Sequence, residues 1–123
     1  MKDIILNSNN YRNMQVIEIK TERGFKLISV EVIIFIKANI KRTILKVEKE
    51  NEPMNSLYPL SWYTSILKPP LFLRCHKSYI INCKYVEYYC SKAIILKGNH
   101  VIPLSRQKIS DLKNNLIELQ DSD

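Results

Sequence analysis

The longest uninterrupted apolar run in this chain is Val32-Ile33-Ile34-Phe35-Ile36. A helix crossing a bilayer needs about 20 such residues, so this run has the length of a strand. The other apolar residues fall in still shorter clusters, many alternating with polar ones and separated by turn-forming residues. That spacing directs the chain toward many short strands rather than a helical bundle. At 123 residues and 46% hydrophobic content, those strands can build one domain around a real core. Only 2 glycines and 5 prolines argue against a disordered chain.

From residue 16 the pattern is legible element by element. Val16, Ile17 and Ile19 alternate with Glu18 and Lys20, Thr21-Glu22-Arg23-Gly24 predicts a turn, and residues 25–29 return antiparallel. Residues 32–37 have the β-branched and aromatic make-up of a buried strand. Residues 38–42 read as a polar connection and 43–48 as another alternating strand. After a charged loop, Ser56 is expected to cap a short helix reaching Leu67, with Leu60, Tyr63, Ile66 and Leu67 on one face. Pro59 falls in its first turn and Pro69-Pro70 ends it. Short strands follow over 72–74, 79–81, 86–89, 92–96 and 100–102, the last two joined across Gly98-Asn99. Ser105 is expected to cap a final helix to about residue 119, with Ile109, Leu112, Leu116 and Leu119 facing the core. Residues 1–13 read as a loosely held, asparagine-rich polar arm, which leaves 14–120 as the folded domain. The expected class is mainly β, with one short middle helix and one C-terminal helix.

Charge narrows the choice of partner. The formal net charge is +7, and residues 68–113 hold nine Lys/Arg against two Asp/Glu, while the rest of the chain carries ten of each. A cationic excess confined to one stretch suits a polyanion, nucleic acid first and an anionic membrane surface second. Cys75, Cys83 and Cys90 are an odd number with no C-x2-C pair, which fits a reduced protein better than a disulfide framework or a structural zinc site. The amino end shows no charged-then-apolar leader, so a cytoplasmic location without membrane insertion is expected.

Three segments in order carry a family resemblance. Phe72-Leu73-Arg74-Cys75-His76-Lys77-Ser78-Tyr79-Ile80-Ile81-Asn82 resembles the signature of the LytTR DNA-binding family: aromatic, Arg, His, a basic or polar residue, then Ser-aromatic-aliphatic-aliphatic-Asn. Upstream, Val32-Ile33-Ile34-Phe35-Ile36 is similar to the family's aliphatic and aromatic strand. Downstream, residues 98–102 followed by Pro103-Leu104-Ser105-Arg106 resemble its hairpin and Pro-x-Ser-Arg helix start. The likeness spans roughly residues 15–119. It implies LytTR-type stacked small antiparallel sheets whose loops enter successive major grooves on one side of double-stranded DNA. It also implies a transcription regulator on a direct-repeat operator, with a homodimer on DNA and a separate regulatory protein as further partners. The family usually sits behind a phosphorylatable receiver, for which this length leaves no room.

On that resemblance the DNA-contacting candidates are Lys41, Arg42, Arg74, Lys77, Ser78 and Arg106. Arg106 follows Ser105 at the start of the last helix, where free amides favour an anion and a guanidinium can bridge the two major-groove acceptors of guanine. Lys77 follows His76 in the signature and offers a flexible donor to phosphate or guanine. Lys41 and Arg42 occupy the connection where the family places a third DNA-facing loop, although Ala38-Asn39-Ile40 departs from the glycine or Asn-Gly common there. Arg74 and Ser78 are candidates for phosphate. Lys84, Lys97 and Lys108 extend the basic stretch for non-specific contact. His76 is expected to be a hydrogen-bonded structural residue that holds a loop, and Asn82 to tie a turn.

Other chemistries find less support. Cys75, His76, Cys83, Cys90 and His100 are residue types that bind zinc, but adjacent strand residues such as Cys75 and His76 point to opposite faces, so both on one ion would need a bend. No H-E-x-x-H, glycine-rich phosphate loop or nucleophile elbow occurs, so neither an enzyme, a metal nor a cofactor is expected. Cys75, beside Arg74 and near Lys77, suggests redox control if its thiol is exposed. A non-DNA-binding interaction module that partners a membrane protein or another regulator is the alternative reading.

Overall fold

The computed structural model describes residues 5–8 and 14–121, and the rest of the expected polar arm lies outside the described residues. Within that arm Ile5–Ser8 forms a strand, β1, paired antiparallel with β2 (Met14–Thr21), so this part is tied to a sheet. β3 (Gly24–Ser29) returns along β2 across the expected turn, where Gly24 takes φ +117. These three strands form the first layer.

The middle layer is a five-stranded sheet in the order β6-β5-β4-β8-β7. Its members are β4 (Ile33–Asn39), β5 (Arg42–Val47), β6 (Met54–Ser56), β7 (Phe72–His76) and β8 (Tyr79–Asn82), all paired antiparallel. The third layer is the sheet β11-β10-β9, formed by β9 (Val86–Tyr89), β10 (Ala93–Leu96) and β11 (His100–Pro103). Helix α1 (Leu60–Ile66) closes the first core and α2 (Ile109–Asp121) the second.

Both faces of the middle sheet are buried, and its side chains divide accordingly. Ile33, Ile36, Leu45, Val47, Phe72 and Ile80 join Ile17, Ile19 and Ile28 of the first sheet and Leu60, Tyr63, Ile66 and Leu67 of the α1 segment. Ile34, Leu73, Cys75 and Ile81 join Ile94, Leu96, Ile102, Leu104 and Leu112 on the other side. An uninterrupted apolar strand is what two buried faces require. Strict alternation would put Phe35 with Ile33, but the register shifts between them, so Ile34 and Phe35 together oppose Lys46. This bulge turns both residues toward the third layer and returns Ile36 to the first.

Buried polar groups lock the layers together. Asn82 is fully buried; its Nδ2 donates to the carbonyls of Ile33 (2.9 Å) and Glu31 (3.3 Å), and its Oδ1 accepts from the Lys84 amide (3.1 Å). The expected local turn tie is therefore also a bridge to β4. Ser56 does not cap α1: it lies fully buried in β6, where its Oγ accepts from Tyr63 OH (2.6 Å) and the Tyr58 amide (3.1 Å). Pro59 occupies the cap position with no side-chain bond. Ser105 does begin the last helical segment, but without a side-chain cap bond, because a 3-10 turn over Arg106–Lys108 precedes α2 and the Ser105 carbonyl accepts the Lys108 amide.

Because buried Asn82 bonds three backbone groups at once, that of Ile33 in the interior and those of Glu31 and Lys84 nearer the surface, Asn82→Ala should cost about 2 kcal/mol of stability, measurable as a lower urea midpoint.

Candidate nucleic-acid interface

The site is assembled at one end of the middle sheet. β4 and β5 meet there in a two-residue turn, with Asn39 opposite Arg42 and Ile40-Lys41 at the tip. What the sequence pattern makes a five-residue polar connection is thus mostly strand. Ile40 has φ +59 and is 95% exposed. A side chain in the left-handed region costs about 1–2 kcal/mol, and a β-branched one is unusual there.

The neighbouring β7–β8 turn is fastened to this hairpin by Ala38 N donating to Ser78 O (2.8 Å). His76 Nδ1 accepts the Ser78 amide (3.1 Å), the loop-holding part expected of it. The Arg74 guanidinium donates to Lys77 O (2.6 Å) and to Thr64 Oγ1 (3.4 Å), so it braces the turn against α1 from below. Lys77 is left exposed at the apex, and Ser78 is half-buried. Lys37 stands over the Tyr79 ring, 6.0 Å from its centroid, one strand away.

Arg106 reaches the same end by a different route. Ser105 N donates to Cys75 O (2.9 Å), which pins the β11–α2 junction to the last part of β7, and exposed Arg106 follows. One residue earlier, Leu104 N donates to Lys92 O (2.9 Å), which brings the β9–β10 turn with exposed Lys92 beside it. On the opposite flank Arg42 pairs with Glu22 at 3.2 Å, which joins the β2–β3 turn and exposed Arg23 to the row. Five connections from three layers therefore share one edge. With layers stacked about 10 Å apart, the edge is about 20 Å across.

Lys41, Arg42, Lys77 and Arg106 are thus brought together, although they are far apart in the chain. Arg23, Lys37 and Lys92 belong with them and were missed. Only the register of β2–β3 and the pairing of Lys92 with Leu104 place the first and last, and neither leaves a periodic signal in sequence. Lys84 and Lys97 do not belong to the row. Lys84 pairs with Glu31 at 3.0 Å, and the Lys97 amide donates to Tyr85 O (2.8 Å), both at the opposite end of the middle sheet. There Tyr85 OH lies between Glu31 O and Glu48 Oε1, each at 3.2 Å; burial first, then the nearby carboxylates, pushes its pKa up to about 12. Lys108 lies near the Arg106 corner but faces Asp111 at 3.7 Å. At this edge the exposed cations outnumber the carboxylate among them, Glu22. At the opposite end Lys84 is matched by Glu31 with Glu48 close by, so the excess positive charge that would meet an anion lies at the first end.

A sequence profile of the family described as LytTR, LytTr DNA-binding domain, matches residues 23–117. The chain belongs to the LytTR DNA-binding domain family. Among solved structures it is similar to the LytTr DNA-binding domain of a protein from Bacillus cereus described as a methyl-accepting/DNA response regulator. That match has 22% identity and a TM-score of 0.67, over 82% of this chain and 95% of the other. No curated protein matches the chain. The LytTR fold accounts for the stacked sheets and the two helices, and the family is one of DNA-binding domains. No helix among the described residues is long and apolar enough to cross a membrane.

The thiols do not support redox control at Cys75. It is fully buried, with burial pushing its pKa up to about 12, and Cys83 is raised to about 11 for the same reason. Cys90 is exposed. A thiol reagent should therefore modify Cys90 rapidly in the native protein and reach Cys75 and Cys83 only on unfolding. Both buried thiols, ordinarily near 9, and Tyr63, raised from 10.0 to about 12 by burial, ionise later in the folded chain than in the unfolded one. Stability should hold up to about pH 9 and fall as the pH rises from there toward 12, since the unfolded chain releases its protons first. Urea midpoints across that range check the sign.

Proposed function

We propose that this LytTR domain is a sequence-specific double-stranded DNA-binding transcription regulator, with residues 14–120 as the working unit. The observation that carries this reading is the row of connections at one edge, where Lys41, Arg42, Lys77 and Arg106 stand side by side on a rigid three-layer frame. An edge about 20 Å across spans a major groove about 12 Å wide together with its two phosphate rails. The connections that carry Lys77 and Arg106 enter the groove and reach base edges, and the outlying cations Arg23 and Lys92 meet phosphate.

Arg106 is the chief base reader, because its planar donors can take both acceptors of a guanine. Lys77 and the Lys41-Arg42 pair supply phosphate and base contacts on either side. Ser78 lies close enough to the apex to add a phosphate bond through its hydroxyl. Arg74 acts mainly as a brace, since one of its nitrogens already holds the turn through Lys77 O and another ties to Thr64 of α1. Arg23 and Lys92 close the two ends with phosphate contacts. A direct-repeat operator would receive one copy per half-site, each on the same side of the duplex, in the cytoplasm of a bacterial cell. The name of the similar Bacillus cereus protein, a DNA response regulator, supports this assignment.

Selection of bound fragments from a random duplex pool should yield a consensus. Anisotropy titration should then show binding that weakens steeply with salt. Arg106→Ala should lose about 1–3 kcal/mol of discrimination while its circular dichroism stays unchanged. Lys92→Ala should weaken specific and random DNA alike and make the salt slope shallower by about 1, whereas Lys97→Ala at the far end should change neither. Absence of binding at low salt, or wild-type recognition by Arg106→Ala, would overturn the reading and favour an interaction module instead.

A further inference from the structure

The feature that neither packing nor charge explains is Ile40. It is the first tip residue of the β4–β5 turn, at φ +59, with 95% of its surface exposed. Two-residue hairpin turns favour glycine, asparagine or aspartate where φ is positive. An isoleucine there is strained by its backbone and has no packing to offset the strain. Backbone strain that nothing in the fold relieves points to a part played outside the fold.

The surroundings say what that part is. Asn39, Lys41 and Arg42 flank Ile40, all polar and exposed, so the tip is a single apolar knob on a cationic ribbon. A two-stranded ribbon is among the shapes that the major groove admits. Within that groove one base carries an apolar group at its edge: thymine, through its C5 methyl. The short, branched side chain of isoleucine presents methyl groups and can neither donate nor accept a hydrogen bond.

We infer that Ile40 reads a thymine methyl in the major groove, adding an apolar contact to the polar contacts of Arg106 and Lys77. The inference rests on the DNA-binding reading above and deepens it by naming one base and one atom. The left-handed backbone turns the knob outward at the tip, and the exposed cations beside it meet the phosphates on either side.

The test uses the full chain and the duplex obtained by selection, with each thymine replaced in turn by deoxyuridine. That replacement removes one methyl and leaves base pairing and the O4 acceptor intact. At one position wild-type affinity should fall about fourfold, the weight of one buried methyl. In Ile40→Gly the same replacement should cost nothing. Ile40→Gly relieves the strained φ, so its urea midpoint should be no lower than that of the wild type. Ile40→Asn, whose side chain also tolerates a positive φ, serves as the second variant and should show the same loss of methyl dependence.

If no thymine shows a methyl effect, or if the effect persists undiminished in Ile40→Gly and Ile40→Asn, the inference is wrong. That failure is separate from failure of the DNA-binding reading, in which the wild-type chain would bind no duplex at any salt concentration.

Discussion

Strand β4 has to serve two cores at once. It lies between β5 and β8 in the middle sheet, and each face of that sheet is covered by another layer. Ile33 and Ile36 fill one core, Ile34 and Phe35 the other, and a single extra residue at the bulge makes the division work. Burial of apolar side chains supplies the driving force for folding. Where one strand contributes to two cores, any slip of register would expose one set and bury polar residues in its place. The rest of the molecule is arranged around that requirement.

Register at the centre then determines geometry at the edge. With Phe35 opposite Ile81 and Ile36 opposite Leu45, the β4–β5 turn and the β7–β8 turn come level with each other, and Ala38 N meets Ser78 O. Ser105 N on Cys75 O adds the α2 junction to the same line. Each exposed cation of this edge thus stands on or beside a short connection anchored by strand pairing or backbone hydrogen bonds, which leaves it little backbone freedom to lose. The buried groups serve the same rigidity. Cys75 and Asn82 lie within the signature segment and are fully buried, Arg74 in the same segment braces its turn, and none of the three lies at the exposed apex. Much of that segment therefore serves to hold the turn on which Lys77 is exposed.

The electrostatic layout follows from the same register. A charge count along the chain groups Lys84 and Lys97 with Lys77 and Arg106, yet the fold sends the first two to the end that holds Glu31 and Glu48. Arg23 and Lys92 take their place at the cationic edge. A contiguous basic stretch in sequence is therefore not a contiguous basic surface. In an antiparallel sheet, successive turns fall at alternate ends, so neighbours along the chain are separated and distant residues are joined.

The sequence by itself determined the elements whose burial is periodic. The β2–β3 hairpin, the apolar β4, the buried face of α1, the short strands after Pro70 and the inward face of α2 could all be read from spacing, because each buries residues at intervals set by its own backbone geometry. The three ordered motifs pointed to the LytTR family, and with it to Lys77 and Arg106. Tertiary structure alone decided what depends on partners distant in the chain. β6 exists because Met54 and Ser56 pair with Leu45 and Thr43, and no pattern within its own residues calls for a strand. Ser56 became a buried acceptor rather than a cap, and Ile40 a strained and exposed tip. Only the packing of three layers brought Arg23, Lys41, Lys77, Lys92 and Arg106 to one edge, because local periodicity reports which face of an element is buried but not which loops its ends will meet.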